Sequence, residues 1–250
     1  MKEYLDHHYE LFSGEDFIAN DPISIPHRYR NKEDIEIAGF FAAIFSWGRR
    51  DIIILKSHEL LELMDNRPHD FVLNYRKSDL EAIQSFKHRT FQPSDLDFYL
   101  RALQAHYRQH GSLEFAFSGQ PHDLSITSHL THFYDYITQI VPSDRRNLKH
   151  ISTPLYNSSC KRLCMFLRWM VRKGDVDFGI WDSISPTQLI IPLDVHVLHI
   201  ASKLKLIKET DKANWKTALA LTNKLREYDV SDPVKYDFAL FGMGINRNKT

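Results

Sequence analysis

The 250-residue chain carries 32 basic and 32 acidic side chains, so its formal net charge is zero, and 43% of its residues are hydrophobic. This composition excludes a disordered chain, and the balanced charge argues against a generic nucleic-acid-binding surface. No apolar run approaches the roughly 20 residues that a membrane helix needs, and the N-terminal "MKEYLDHHYE" lacks the apolar core of a secretory signal.

The spacing of apolar residues predicts helices along almost the whole chain and no strands. In chain order, helices are predicted over residues 33–46, 53–64, 93–111, 123–141, 161–172, 194–206, 215–228 and 233–243. No internal repeat, low-complexity stretch or long linker separates them. We therefore expect an all-α fold in which residues 1–250 form a single helical domain.

One acidic residue, Asp194, stands between a proline and an apolar run in the segment "IIPLDVHVLHIASKL". Pro192 favours the chain just outside a helix, and aspartate is a good N-cap. Apolar residues then recur at helical spacing from Val197 to Leu204. The sequence predicts that Asp194 caps a helix, and capping alone would account for an aspartate at this position.

A lysine, Lys161, lies in the first turn of the predicted core helix "CKRLCMFLRWMVRK". Its charge opposes the positive end of the helix dipole, and Arg162 adds to that unfavourable field. The field favours the neutral amine that a nucleophilic lysine needs. Alternatively, Lys161 binds a phosphate or water at the helix N-terminus.

A basic run surrounds this lysine. Residues 142–173 contain eight basic side chains against one acidic side chain, a net charge of +7. Such a run is ordinarily a solvated face, but its length and position also suit phosphate contacts. Its basic members are Arg145, Arg146, Lys149, Lys161, Arg162, Arg168, Arg172 and Lys173.

The chain has two cysteines, Cys160 and Cys164, on neighbouring turns of one predicted helix. Two thiols are too few for a disulfide framework, an iron–sulfur cluster or a four-cysteine zinc site. This cysteine usage predicts a reducing, cytoplasmic location.

Three segments resemble the helix-hairpin-helix GPD superfamily of DNA glycosylases, which includes endonuclease III and the 8-oxoguanine glycosylases. "PLDVHVLHIASKL" is similar to the segment that carries the essential aspartate. "FFAAIFSWGRRDIIILKSHELLELM" resembles the first barrel helix and the following turn, which carries a DNA-inserting or base-contacting residue. "YDFALFGMGINR" resembles the late helix that closes the base pocket. The resemblance covers roughly residues 35–247.

Two departures from the superfamily point to one branch of it. The stretch "ISTPLYNSSCKR" has no glycine where the superfamily has a glycine-rich hairpin whose N–H groups bind a DNA phosphate, and Asp194 follows Lys161 by 33 residues. The archaeal 8-oxoguanine glycosylases, the AGOG group, also have a divergent hairpin and a long separation, and their lysine-bearing helix resembles the one that here runs from Lys161 through Phe166 to Arg168. The chain is closer still to an uncharacterised bacterial family that shares "KRLCMFLRWMVRK" and "DPVKYDFALFGMG".

The resemblance implies a monomeric glycosylase and AP lyase of DNA base-excision repair, without a cofactor, that acts on a flipped damaged base such as 8-oxoguanine in double-stranded DNA. Lys161 would attack C1′ of the sugar, and Asp194 would stabilise positive charge developing there. The implied phosphate-binding residues are Arg145, Arg146, Lys149, Ser158, Ser159 and Arg162. The implied base-pocket or DNA-inserting residues are Trp47, Arg49, Arg50, Trp169 and Phe241, although each of the three aromatic residues could instead be a core residue.

The same resemblance implies two lobes with a cleft between them. The barrel lobe would cover about residues 33–173, and the second lobe about residues 1–32 plus 192–250. The intervening stretch 174–190 carries three aspartates and no basic residue. We expect it to point away from the phosphates or to form a wall beside the pocket.

Two alternatives remain open from the sequence. A non-catalytic nucleic-acid-binding relative would bind DNA without Lys161. A metal enzyme would use the histidine pairs of "HLTH" (129–132) and "HVLH" (196–199), with a further pair at 7–8. Because no nearby carboxylate has metal-ligand spacing, we expect no metal.

Overall fold

The computed structural model describes residues 1–118, 125–142 and 144–245, without the side chain of Arg145. Over these residues it confirms the all-α prediction, because it contains no β-strand and only isolated β-bridges. The α-helices are α1 (Lys2–Phe12), α2 (Glu15–Ala19), α3 (Lys32–Phe45), α4 (Arg50–Leu63), α5 (Pro68–Asn74), α6 (Leu80–Ile83), α7 (Pro93–Tyr107), α8 (Glu114–Phe117), α9 (Ile126–Ile140), α10 (Arg145–Leu148), α11 (Lys161–Val171), α12 (Val195–Lys203), α13 (Trp215–Arg226) and α14 (Tyr236–Ile245).

Short 3₁₀ helices link several of these elements, and most of them begin with a proline, whose fixed φ suits a first helical position. They are Pro22–Ser24, Pro26–Arg28, Lys77–Asp79, Pro154–Tyr156, Pro186–Gln188 and Pro233–Lys235. Within the described ranges, none of the helices is both long and apolar enough to cross a membrane.

The chain divides into two compact units. The first unit comprises Met1–Ala19, Leu124–Thr127 and Ser152–Thr250, and the second comprises Asn20–Asp123 and Ser128–Ile151. These bounds differ from those of the two lobes expected from the resemblance. In particular, α11 belongs to the same unit as α12 and α14, so Lys161 and Asp194 are both residues of the first unit.

Helix α14 is the central element of the first unit, and its residues from Tyr236 to Leu240 are all buried. It packs against α1 and α12. Two glycines allow these close approaches. A Cβ on Gly242 would overlap the ring of Phe12 in α1, and a Cβ on Gly244 would lie 2.9 Å from the Cβ of His196 in α12.

We expect Gly242→Ala to lower the free energy of unfolding by about 1–3 kcal/mol, because the added methyl group must displace the Phe12 ring from a packed interface. Urea denaturation of the purified protein measures this loss. Gly14→Ala is the matched control, since a Cβ there has no neighbour within 4 Å. Equal stability of the two variants would contradict the close packing of α1 on α14.

The second unit is built around α3, whose residues from Ile35 to Phe45 are all buried. One of them is acidic. The Glu36 carboxylate accepts hydrogen bonds from the Tyr107 hydroxyl at 2.8 Å, the Ser112 hydroxyl at 2.5 Å and the Leu113 N–H at 2.9 Å. These donors replace water around the buried charge, which satisfies a polar group that would otherwise be costly to bury.

Candidate functional site

Asp194 occupies the N-cap of α12, as the sequence predicted. Its Oδ1 atom accepts hydrogen bonds from the N–H groups of His196 at 2.8 Å and Val197 at 2.9 Å. Within the described part of the chain, no side chain or N–H group donates to its Oδ2 atom. The cap therefore fixes the carboxylate in one orientation and leaves its second oxygen available, on a partly exposed side chain.

Lys161 is the first residue of α11, again as predicted. It follows a chain segment that contains two non-glycine residues in the left-handed region, Asn157 with φ 54° and Cys160 with φ 50°. This conformation normally favours glycine. The segment therefore has glycine-like backbone geometry at two positions, although its sequence contains no glycine.

Contacts with α13 and a local hydrogen bond fix the segment before Lys161. Ser158 forms an isolated bridge with Asn214, and the Trp215 N–H donates to the Asn157 carbonyl at 3.4 Å. The Ser158 hydroxyl accepts the Cys160 N–H at 3.2 Å. No side chain caps the N-terminus of α11. Lys161 makes no ion pair with any residue in the described part of the chain.

Arg168 connects α11 to α14. Arg168 follows Lys161 by seven positions, which places both side chains on the same face of the helix about two turns apart. Arg168 is 3% exposed, and its Nη1 donates to Oδ2 of Asp237, in the first turn of α14. Its guanidinium also lies 4.2 Å from the centre of the Phe238 ring.

Several charged side chains of the first unit affect the pKa of Asp237. Burial raises the pKa of its carboxyl to about 7, and the negative charges of Asp194 and Asp177 act in the same direction. The positive charges of Arg168 and Lys161 oppose that rise. Helix α11 contacts α14 through Arg168, and α12 packs on α14, so Lys161 and Asp194 both lie at the N-termini of helices that contact α14.

The raised pKa of Asp237 predicts a specific pH dependence of stability. The folded state holds the Asp237 proton up to about pH 7, whereas an aspartate in the unfolded chain releases it near pH 4. The unfolded state therefore binds fewer protons in this window, and this group's contribution to the free energy of unfolding falls as the pH rises from about 4 to about 7.

Urea denaturation at a series of pH values tests this expectation. Asp237→Asn removes the titrating group. As the pH rises from 4 to 7, the variant should therefore become more stable relative to the wild type. A difference that stays constant over this range would contradict the raised pKa.

Two arginines of the predicted basic run are wrongly assigned to a phosphate-binding surface. Arg168 and Arg172 are 3% and 4% exposed. The Asp177 carboxylate pairs with Arg168 Nε at 3.2 Å and with Arg172 Nη1 at 3.1 Å, and Arg172 Nε also pairs with Asp232 at 2.8 Å. Their charges are therefore neutralised inside the first unit, and one partner comes from the acidic stretch 174–190.

The other predicted residues of the first unit have different environments. Trp169 is 0% exposed, so the prediction that it lines a base pocket is corrected: its side chain is buried in the core. Phe241 is partly exposed, and its ring centre lies 6.2 Å from that of His196 in α12. Ser159 is partly buried, and its carbonyl lies 3.9 Å from the Cys164 sulfur.

Arg162, in the first turn of α11, is partly exposed, and the other predicted residues belong to the second unit. Trp47 is 49% exposed, Arg49 forms an exposed ion pair with Asp51, and Arg50 Nη1 lies 3.5 Å from the Asn20 carbonyl oxygen. Lys149 and Arg146 are both exposed. The Lys149 amine donates to the Thr90 carbonyl at 3.2 Å, and Arg146 lies 3.7 Å from Asp95. The predicted phosphate contact of the Arg145 side chain falls outside the described residues.

The two thiols near Lys161 are poor nucleophiles. Burial raises the pKa of Cys160 to about 11 and raises the pKa of Cys164 well above its usual value. A thiol reacts as the thiolate, so these cysteines are protonated at neutral pH. As for metal ligands, the described residues contain no group of three or more His, Cys, Asp or Glu side chains that could hold an ion.

Sequence reasoning missed Asp237 and the role of Arg168. A signal was present, because Asp237 is an acidic residue in the otherwise apolar segment "YDFALFGMG", and a charge buried with such a helix needs a partner. The i, i+7 spacing of Lys161 and Arg168 was recognised only as part of a resemblance. The partner itself lies 69 residues further along the chain, and only the fold reveals it.

Comparison with known proteins gives one family. The profile of a family described as "Protein of unknown function (DUF2400)" matches residues 21–246. Neither the curated proteins nor the solved structures contain a match. Because the matched region covers most of the 250 residues, the chain belongs to the DUF2400 family.

Proposed function

We propose that this protein is a DNA glycosylase with AP lyase activity, related to the helix-hairpin-helix GPD superfamily, that uses Lys161 as its nucleophile on an oxidised purine such as 8-oxoguanine. The observation that carries the proposal is that the helix begun by Lys161 and the helix capped by Asp194 both contact α14, α11 through the Arg168–Asp237 hydrogen bond and α12 by direct packing. A lysine and an oriented carboxylate are the groups that this chemistry requires.

The reaction begins with the lone pair of the Lys161 amine. It attacks C1′ of the damaged nucleotide, the C1′–N bond breaks, and the base leaves with a proton. Opening of the sugar ring then gives a Schiff base between Nζ and C1′. Loss of a proton from C2′ breaks the C3′–O bond and expels the 3′ phosphate, which is the lyase step.

Asp194 supports this reaction through its charge. Its capping hydrogen bonds orient the carboxylate before substrate arrives, so no reorganisation is needed when positive charge develops on the sugar. Its second oxygen is available to receive and return protons. One aspartate therefore serves both as a helix cap and as the electrostatic partner of the reaction.

We expect Asp194→Asn to slow base release on the order of 10²-fold, because asparagine lacks the negative charge that stabilises the transition state. Its thermal stability should stay close to that of the wild type, since asparagine caps a helix about as well as aspartate. Asp194→Ala should lose both the rate and about 1 kcal/mol of stability. Single-turnover kinetics and thermal unfolding separate the two roles. Full activity of Asp194→Asn would contradict a role for the charge.

The test of the proposed function is base release from a panel of duplexes that each carry one oxidised, alkylated or deaminated base. The expected result is release of an oxidised purine followed by cleavage of the strand on its 3′ side. Binding without turnover on every duplex would instead support a non-catalytic nucleic-acid-binding protein, particularly if Lys161→Ala bound equally well.

A further inference from the structure

A cavity of about 330 Å³ lies in the second unit, where the C-terminal end of α5 meets α7. Its volume is within the range of small-molecule sites, which begins at roughly 300 Å³. Tyr75 and Leu80 line it with apolar surface, and Arg76, Lys77 and Arg101 line it with positive charge. We call it the cationic cavity. None of these five residues takes part in the proposed reaction.

The cationic cavity has an excess of positive charge, although the whole chain is formally neutral. Of the described residues that line it, three are cationic and one, Asp97, is acidic, which leaves two positive charges in excess. The Asp97 carboxylate already has partners, because it accepts the Tyr75 hydroxyl at 2.9 Å and Arg101 Nε at 3.0 Å. It therefore offsets one of the three cations and leaves the others to a ligand.

Two neighbouring cations of the cavity are available for binding. Arg76 and Lys77 are both exposed, and neither forms an ion pair with another residue in the described ranges. An arginine side chain presents a planar fork of N–H donors that matches the geometry of phosphate and carboxylate groups. The adjacent lysine adds a mobile positive charge to the same rim.

The end of α5 would normally repel an anion, because the last carbonyl groups of a helix carry partial negative charge. Here donors from α7 occupy them. The side-chain nitrogen of Gln104 lies 3.1 Å from the carbonyl oxygens of Val72 and Leu73 and 2.8 Å from that of Tyr75. Arg108 Nη2 also reaches the Leu73 carbonyl, at 3.4 Å. These contacts reduce the repulsion that an anion in the cavity would meet.

A second cavity, of about 380 Å³, shares Arg76 with the first and has the opposite charge balance. Asp65, Asp70 and Asp79 line it, against Arg76 and Arg67. Arg67 lies 3.6 Å from Asp70, so its charge is already paired. An anion should therefore prefer the cationic cavity, and Arg67 provides a matched control for the loss of one exposed arginine.

We propose that the cationic cavity binds a phosphate monoester. Arg76, Lys77 and Arg101 hold the phosphate, and the organic part of the ligand packs against Tyr75 and Leu80. A phosphate monoester carries a charge of about −1.5 to −2 at pH 7, which matches the two excess positive charges, whereas a carboxylate brings only one negative charge. A small metabolite and the 5′ end of a nucleic acid strand both present this group.

The proposal goes beyond the proposed function and does not depend on it, because the cationic cavity is in the second unit and Lys161 is in the first. The test is a ligand-detected NMR titration of the full-length protein at pH 8 with phenyl phosphate and with benzoate. Both ligands carry a phenyl ring, but only phenyl phosphate is a dianion. It should bind on the order of tenfold more tightly, because it can accept more charge-assisted hydrogen bonds. Equal affinities, or no binding of phenyl phosphate, would overturn the proposal.

Variants assign the binding to the cationic cavity. The double variant Arg76→Gln, Lys77→Gln should lose on the order of tenfold in affinity for phenyl phosphate. Its thermal midpoint should not change, since both residues are exposed and unpaired among the described residues. Arg67→Gln should bind as the wild type does. Asp97→Asn removes the negative charge, so it should bind about threefold more tightly. Wild-type affinity in the double variant, or an equal loss in Arg67→Gln, would overturn the assignment.

Two thymidine strands, one with a 5′ phosphate and one with a 5′ hydroxyl, identify the source of the phosphate. Tighter binding of the phosphorylated strand that disappears in the double variant would assign the site to a strand end. Equal binding of the two strands, with phenyl phosphate still bound, would assign it to a small molecule.

The same titration separates this proposal from the proposed function. Loss of phenyl phosphate binding in Arg162→Gln, with full binding in the double variant, would place the phosphate at the start of α11 and overturn the proposal. Base release by a protein that does not bind phenyl phosphate would retain the glycosylase and remove the phosphate site. Phenyl phosphate binding that depends on Arg76 and Lys77, in a protein that releases no base, would do the reverse.

Discussion

Replacing Lys161 with alanine is expected to reduce base release and strand cleavage on the order of 10⁴-fold or more, because the substitution removes the nucleophile itself. DNA affinity should fall only slightly, since the substitution keeps Arg162, which we propose contacts a phosphate. The thermal midpoint should change little, because Lys161 is partly exposed and forms no ion pair with another described residue.

Lys173→Ala is the matched control, because Lys173 is an exposed basic residue just beyond the other end of α11. It should reduce affinity as much as Lys161→Ala does and leave the single-turnover rate unchanged. If both variants released the base at the wild-type rate, Lys161 would not be the nucleophile.

Arg168→Ala is expected to lower the free energy of unfolding by roughly 3–5 kcal/mol. The substitution leaves the buried carboxylates of Asp177 and Asp237 without one of their positive partners, and it removes the contact with Phe238. Urea denaturation at neutral pH measures the loss.

The loss should become smaller towards acid pH, because a protonated Asp237 no longer needs a positive partner, and its raised pKa allows protonation below about pH 7. Lys173→Ala again serves as the control, and its effect should stay within about 0.5 kcal/mol, as is usual for an exposed position. A stable Arg168→Ala variant with weakened DNA binding would restore the phosphate-binding role that its burial argues against.

The parts of the site that follow from local sequence were predictable. That Asp194 caps α12 could be predicted because an aspartate that follows a proline and precedes an apolar run is a common helix N-cap. Lys161 begins α11 for a similarly local reason, the helical spacing of the apolar residues that follow it. Such signals act over one or two helical turns, so they are visible in the chain itself.

The wrong predictions concern side chains whose environment is set by tertiary packing. Counting charges placed Arg168 and Arg172 on a solvated basic face, because their buried partner Asp177 lies in a stretch with no regular pattern. Trp169 was expected near a pocket, although helical spacing also allows the core position that it occupies. Helix α1 was not predicted, although Leu5, Tyr9 and Phe12 recur in it at helical spacing and the helix packs on α14.

Trapping with borohydride tests the central claim most directly. The reagent delivers a hydride to C1′ of the Schiff base and converts it to a stable amine, which joins the protein to the DNA. On a duplex that contains 8-oxoguanine or another oxidised purine, we predict one adduct, which peptide mapping by mass spectrometry assigns to Lys161. An adduct on a different lysine, or no adduct with any lesion of the panel, would contradict the account.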